Sequence, residues 1–205
     1  MPPRFAFFDV DCLETLPSGF LRLRPRVLPF QEKLRALYGL ARDGGYPMVF
    51  TTCCSGAMLR PESRPDILFV PLDPLQTEWK ERLPIQRLIY LEKKAYGDPK
   101  VNFACRAFDM FSDNGNAALL IRELDADEWI VFGNALDLCV DSAVTGIIRA
   151  GGCVTFLSDC MCSSATGYGP YGTEENRVAT FARWRNAGAT EQTIDGFLQR
   201  IEATL

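Results

Sequence analysis

Between Glu128 and Asp159 the chain reads as strand, helix and strand with little between them, and that succession admits few folds. Glu128-Trp129-Ile130-Val131-Phe132 is an apolar, β-rich run that stops at Gly133. Val140, Val144, Ile147 and Ile148 then recur at the i, i+4, i+7, i+8 spacing of one helix face. Asp137 stands where an N-cap is expected, Gly151-Gly152 closes the helix, and Cys153-Val154-Thr155-Phe156-Leu157 reads as the next buried strand. Two strands joined through a helix lie parallel in one sheet, so the predicted class is α/β with a mostly parallel sheet.

This unit places Cys139 in the first turn of its helix. A thiol there feels the partial positive charge and free N–H groups of the helix start, which lower its pKa and offer donors to a developing oxyanion. A buried structural cysteine is the commoner use of the residue and stays open on this ground alone. The chain contains no histidine, which removes every Cys–His, Ser–His–Asp and His-ligated metal mechanism. A nucleophilic Cys139 must therefore hand its proton to a carboxylate and have its thiolate stabilised by Lys, Arg or a helix end.

Two strand ends carry such groups. Phe5-Ala6-Phe7-Phe8 is a continuous apolar run of the kind found in central parallel strands, and it ends in Asp9-Val10-Asp11-Cys12. Leu88-Ile89-Tyr90-Leu91 ends in Glu92-Lys93-Lys94. Open α/β sheets place ligands at the C-terminal ends of their strands, although either site is also what a strand end meeting water looks like.

Taken together, FAFFDVD, LEKKAY with the later FDMFSDN, and GNALDLCVDSAV resemble the three motifs of the isochorismatase-like cysteine hydrolases, a superfamily that includes nicotinamidases and N-carbamoylsarcosine amidohydrolases. The trailing GGCVTFLSD is similar to the strand that follows the cysteine helix there, and the resemblance spans roughly residues 4 to 185 by element order. It implies a three-layer α/β/α, Rossmann-like domain and a hydrolase that cleaves a C–N bond of a small amide, ureido or carbamoyl compound through a Cys thioester. By resemblance Cys139 is the nucleophile, Asp9 the proton carrier and Lys93 the cation that orients the pair. The oxyanion hole falls to the backbone N–H groups of Ala135 and Cys139, with a cis peptide at Asn134–Ala135. Relatives commonly assemble as dimers or tetramers, which implies a homo-oligomer.

The departures from the family pattern narrow the expectation. Asp11 stands where many members have Gln, and a second nearby carboxylate should make Asp9 easier to protonate. The metal-binding His pattern after the second strand is replaced by Thr51-Thr52-Cys53-Cys54-Ser55-Gly56, so no metal or other cofactor is expected and nicotinamide is disfavoured as substrate. Asp11, Phe20, Cys53 and Lys94 are candidate pocket residues, Lys94 also as a substitute for Lys93. An insertion from Gly97 to Ala107 either covers the site mouth or is a surface loop. The pairs Cys53-Cys54 and Cys160-x-Cys162 lack the usual C-x-x-C spacing, and reduced, mostly buried thiols are expected. Two other functions fit the same residues: a non-catalytic relative that binds a metabolite or partner, and a metal- or redox-responsive protein.

The remaining expectations come from composition. At 205 residues the chain suits one domain, residues 1–205. Its 47% hydrophobic and 23% charged content is globular, and a net charge of -4 leaves no basic footprint for nucleic acid. With no signal-like or membrane-spanning run, a cytoplasmic protein acting on a small molecule is expected. Helices are expected over roughly 30–41, 116–124, 174–186 and 191–203, a strand at Met48–Thr51, and an irregular segment at 12–28.

Overall fold

The computed structural model describes residues 4–15, 21–52, 64–83, 85–93, 110–163 and 172–203. Within them lie strands β1 (Phe5–Thr15), β2 (Leu21–Leu23), β3 (Met48–Thr52), β4 (Leu68–Val70), β5 (Leu88–Leu91), β6 (Glu128–Asn134), β7 (Val154–Cys162) and β8 (Thr190–Gln192). The helices are α1 (Gln31–Asp43), α2 (Met110–Asp113), α3 (Ala117–Leu124), α4 (Asp141–Arg149), α5 (Glu174–Asn186) and α6 (Ile194–Glu202). The strands form a single sheet in the order β4-β5-β3-β1-β6-β7-β8. Every pairing along it is parallel, and β2 folds back antiparallel on the end of β1.

Alternation along the central strands sorts the core into two layers. Ala6, Phe8 and Val10 of β1 pack with Trp129 and Val131 of β6 against residues of α2, α3, α4 and α5. Phe5 and Phe7 pack with Ile130 and Phe132 against Leu34, Leu37 and Ala41 of α1 and Ile194, Phe197 and Ile201 of α6. The result is the three-layer α/β/α arrangement expected. Full burial of Trp129 and Trp184 makes each a large apolar anchor of the first layer.

The expected helices and strands form, with three differences. Of residues 12–28, the described part is regular: β1 continues to Thr15 and pairs with β2, and a 3-10 turn at Pro25–Phe30 leads into α1. The last helix starts at Ile194 because Thr190–Gln192 is taken into the sheet beside β7, after which the Thr193 hydroxyl caps it by accepting from Gly196 N at 3.2 Å. Finally, β7 runs past Asp159 to Cys162.

Two bulges distort the sheet at the ends of the central strands. Between Asp9↔Phe50 and Leu13↔Thr52, β1 has three residues where β3 has one. Between Val131↔Phe156 and Gly133↔Met161, β7 has four where β6 has one. Gly133 lies between the bulges at φ +132, and a Cβ there would stand 2.1 Å from Val10 O, so the close approach of β1 and β6 requires glycine. No helix among the described residues is long and apolar enough to cross a membrane.

Candidate active site

Cys139 follows β6 and Lys93 follows β5, and their side chains meet across the ends of the intervening β3 and β1, where a carboxylate completes the group. Leu136–Val140 forms a single wide π-type turn after β6, in which Ala135 O accepts from both Leu138 N and Val140 N at 3.0 Å. This turn carries Cys139 over the C-terminal edge of the sheet and runs directly into α4. The Asn134–Ala135 peptide that precedes it is cis. Asp137 does not cap the helix as expected. Its carboxylate instead accepts from Gly172 N at 2.6 Å and Asn176 Nδ2 at 3.3 Å, tying the cysteine turn to the start of α5.

Lys93 follows β5, and its backbone is held from several sides. Glu92 N donates to Val70 O at 3.0 Å and Glu92 O accepts from Asn114 Nδ2 at 2.8 Å. The Glu92 carboxylate accepts from Leu72 N at 2.9 Å. Asn114 also accepts from Asn116 N, and Asn116 Nδ2 donates to Pro71 O and Asp73 O. So held, Lys93 Nζ lies 3.2 Å from Cys139 Sγ and 2.6 Å from Asp11 Oδ2. Thr51 Oγ1 donates to the other Asp11 oxygen at 2.8 Å.

The carboxylate beside Lys93 is Asp11 and not Asp9, the residue expected there. Asp9 follows the alternation of β1 toward α1, where it accepts from Tyr38 OH at 2.7 Å and Cys12 N at 3.1 Å. Asp11 adopts φ 54, and this left-handed backbone turns its side chain to the opposite layer. The sequence places both acids at the end of the same strand and does not mark which of them changes face.

Burial dominates the electrostatics of both clusters. Asp11, Lys93 and Cys139 are 1%, 6% and 5% exposed. Burial pushes the Cys139 thiol up to about 12, Lys93 pulls it down, and the charge and hydrogen bond of Asp11 push it up again. The group is thus a thiol beside a Lys–Asp pair. Burial also raises Asp9 to about 6, opposed by its hydrogen bonds from Cys12 and Tyr38. Asp11 adds to that shift, as expected, but is the smallest of its causes.

Of the other candidates, Phe20, Cys53 and Lys94 lie outside the described residues, as do Cys54 and the stretch from Gly97 to Ala107. Cys160 is packed in the α1 layer, and Cys162 Sγ donates to Asn134 Oδ1 at 3.1 Å. No group of three or more His, Cys, Asp or Glu placed to hold a metal occurs among the described residues. Sequence reasoning missed Thr51 as a partner of the carboxylate, Tyr38 as a donor to Asp9, and Asn114 with Asn116 as supports of the Lys93 backbone. Tyr38 was legible only as part of an apolar helix face, which hides the reach of its hydroxyl.

No family model and no curated relative matches the sequence. Solved structures do match the fold. A cysteine hydrolase from Pseudomonas syringae pv. phaseolicola aligns with TM-score 0.58 and 12% identity over 98% of this chain and 94% of its own. An isochorismatase-like hydrolase from Alkaliphilus metalliredigens aligns with TM-score 0.55 and 16% identity over 96% of each chain. An octameric hydrolase of unknown specificity from Escherichia coli aligns with TM-score 0.57 and 19% identity over 98% of this chain and 79% of its own. The architecture is that of the isochorismatase-like fold.

Proposed function

We propose that this protein is a single-domain cysteine hydrolase of the isochorismatase-like type that cleaves the C–N bond of a small amide, ureido or carbamoyl compound without a metal. The observation that carries the reading is the buried contact of Lys93 Nζ with both Cys139 Sγ and Asp11 Oδ2. A buried Lys–Asp pair contributes little to stability against an apolar replacement, so its presence beside a thiol favours chemistry over packing. The likeness to solved cysteine hydrolases supports the same class.

In this mechanism Sγ of Cys139 attacks the substrate carbonyl carbon while its proton passes to Asp11. Lys93 holds the carboxylate in line and stabilises the sulfur as negative charge develops on it. The carbonyl electron pair moves to oxygen, where the backbone N–H groups of Ala135 and Cys139 receive it. Collapse of this adduct breaks the C–N bond, the leaving nitrogen takes the proton from Asp11, and a thioester remains. Water then gives a proton to Asp11 and attacks the thioester; the C–S bond breaks and the proton returns to sulfur. Asp11 thus fills the role the family resemblance assigned to Asp9.

We further propose that the enzyme works as a homo-oligomer in the cytoplasm, with the octameric hydrolase from Escherichia coli as the supporting likeness. Ammonia release across a panel of small amides tests the activity. Cys139→Ala should abolish turnover with the circular dichroism spectrum unchanged, and mass spectrometry should find an acyl adduct on Cys139 in the wild type. Full turnover by Cys139→Ala would exclude the mechanism.

A further inference from the structure

Asp9 is fully buried yet takes no part in the proposed reaction, and its surroundings give it a different task. Along β1 the side chains alternate regularly from Phe5 to Asp9, odd residues toward α1 and α6 and even residues toward α3 and α4. Continued alternation would stack Asp11 beside Asp9 and send Cys12 to the opposite layer. The reverse is found. Asp11 reaches Thr51 and Lys93, and Cys12 is buried in the α1 layer. Two residues have exchanged faces, and the exchange takes place at the left-handed Asp11.

A non-glycine residue holds that backbone conformation only where its surroundings enforce it. Asp9 supplies one such constraint. Its Oδ1 accepts from Cys12 N across the bulge at 3.1 Å, closing a side-chain-to-backbone turn around Val10 and Asp11. Its Oδ2 is anchored by Tyr38 OH on α1 at 2.7 Å, so the turn is fixed to a helix and not only to its own strand. On the outgoing side Arg24 N donates to Cys12 O at 2.9 Å, which holds the return into β2.

The structure assigns Asp9 a positioning role: bridging α1 and the Cys12 amide, it fixes the β1 bulge that delivers the Asp11 carboxylate to Lys93 and Cys139. This rests on the reading of Asp11, Lys93 and Cys139 as the reacting group. The acceptor that the turn needs is a single oxygen, which asparagine also provides and alanine does not.

Iodoacetamide labelling of Cys139 at pH 8, followed by peptide mass spectrometry, tests the role without a known substrate. Asp11 holds the thiol pKa up and Lys93 holds it down, so losing Asp11 from its place raises the thiolate fraction and the labelling rate. Asp11→Asn should label about tenfold faster than wild type, equivalent to a shift of about one pKa unit. Asp9→Ala should match it, Asp9→Asn should stay within about twofold of wild type because it keeps the accepting oxygen, and Asp9→Leu, which fills the space without an acceptor, should label as fast as Asp9→Ala. If Asp11→Asn is fast and a folded Asp9→Ala labels at the wild-type rate, the positioning role is overturned and the hydrolase reading stands. If Asp11→Asn itself labels at the wild-type rate, both fall. Should Asp9→Ala fail to fold, Tyr38→Phe decides the matter: it frees Oδ2 and should at least double the rate, and an unchanged rate would overturn the role.

Discussion

Asp9 and Asp11 are the same residue type, two positions apart on one strand and both buried, yet they face opposite layers and meet different chemistry. Asp11 is paired with a cation, Lys93 at 2.6 Å, and touches the thiol. Asp9 meets uncharged donors, Tyr38 OH and both the amide and the thiol of Cys12, and burial raises it to about 6. A buried carboxylate with a cation beside it has its desolvation cost offset by that pairing. One held by neutral donors carries a desolvation cost, and what it returns is geometry. Sequence position alone does not decide which acid meets Lys93 and Cys139; the face of the sheet does.

The largest effect expected from breaking this difference is on turnover. Asp11→Asn removes the proton carrier and should lower amide hydrolysis by roughly 10³-fold, within the range general acid–base groups contribute. Asp9→Asn keeps the oxygen that accepts from Cys12 N and should lower it by less than about tenfold. Steady-state ammonia release from both variants checks the pair, and the opposite ranking would return the catalytic role to Asp9.

That ranking also shows what the sequence made legible. The βαβ unit around Cys139, the central β1 and the strand leading to Lys93 all announced themselves, because long apolar runs and helix periodicity are properties of many residues at once. The parallel sheet and two of the three clustered side chains followed. The third did not, because the change of face at Asp11 depends on one backbone dihedral in a non-glycine residue, and no periodicity records it. For the same reason β2, β4 and β8 went unseen: three residues are too few to show alternation, and their pairing is set by neighbours distant in the chain.

The next largest effect is on stability and its pH dependence. Asp9 is raised in the folded state from 3.8 to about 6, so the native protein holds its proton more tightly than the unfolded chain does. The stabilisation from the protonated carboxyl is complete below about pH 4, declines as pH rises through 6, and is gone above it. The difference amounts to roughly 3 kcal/mol between pH 4 and pH 8. In Asp9→Asn this decline should vanish from urea-unfolding free energies measured across that range. A wild-type slope retained in Asp9→Asn would show that another group is responsible.

The smallest effects come from removing one hydroxyl donor on each side. Tyr38→Phe takes a hydrogen bond from Asp9, and Thr51→Val takes one from Asp11. Because the Tyr38 bond holds the Asp9 pKa down, its loss should move the inflection of the stability curve above 6 and cost about 1–2 kcal/mol at pH 8, where Asp9 is ionised. At pH 4, where Asp9 is protonated, the cost should be smaller. Thr51→Val leaves Asp9 untouched and should keep the inflection near 6. Its effect belongs to turnover, through a carboxylate still paired with Lys93 but free to rotate about that contact. Urea unfolding at pH 4 and pH 8, run beside ammonia release, separates the two variants. If Thr51→Val moves the inflection, Asp9 alone does not set it; if Tyr38→Phe leaves it in place, the group that titrates near 6 is not Asp9.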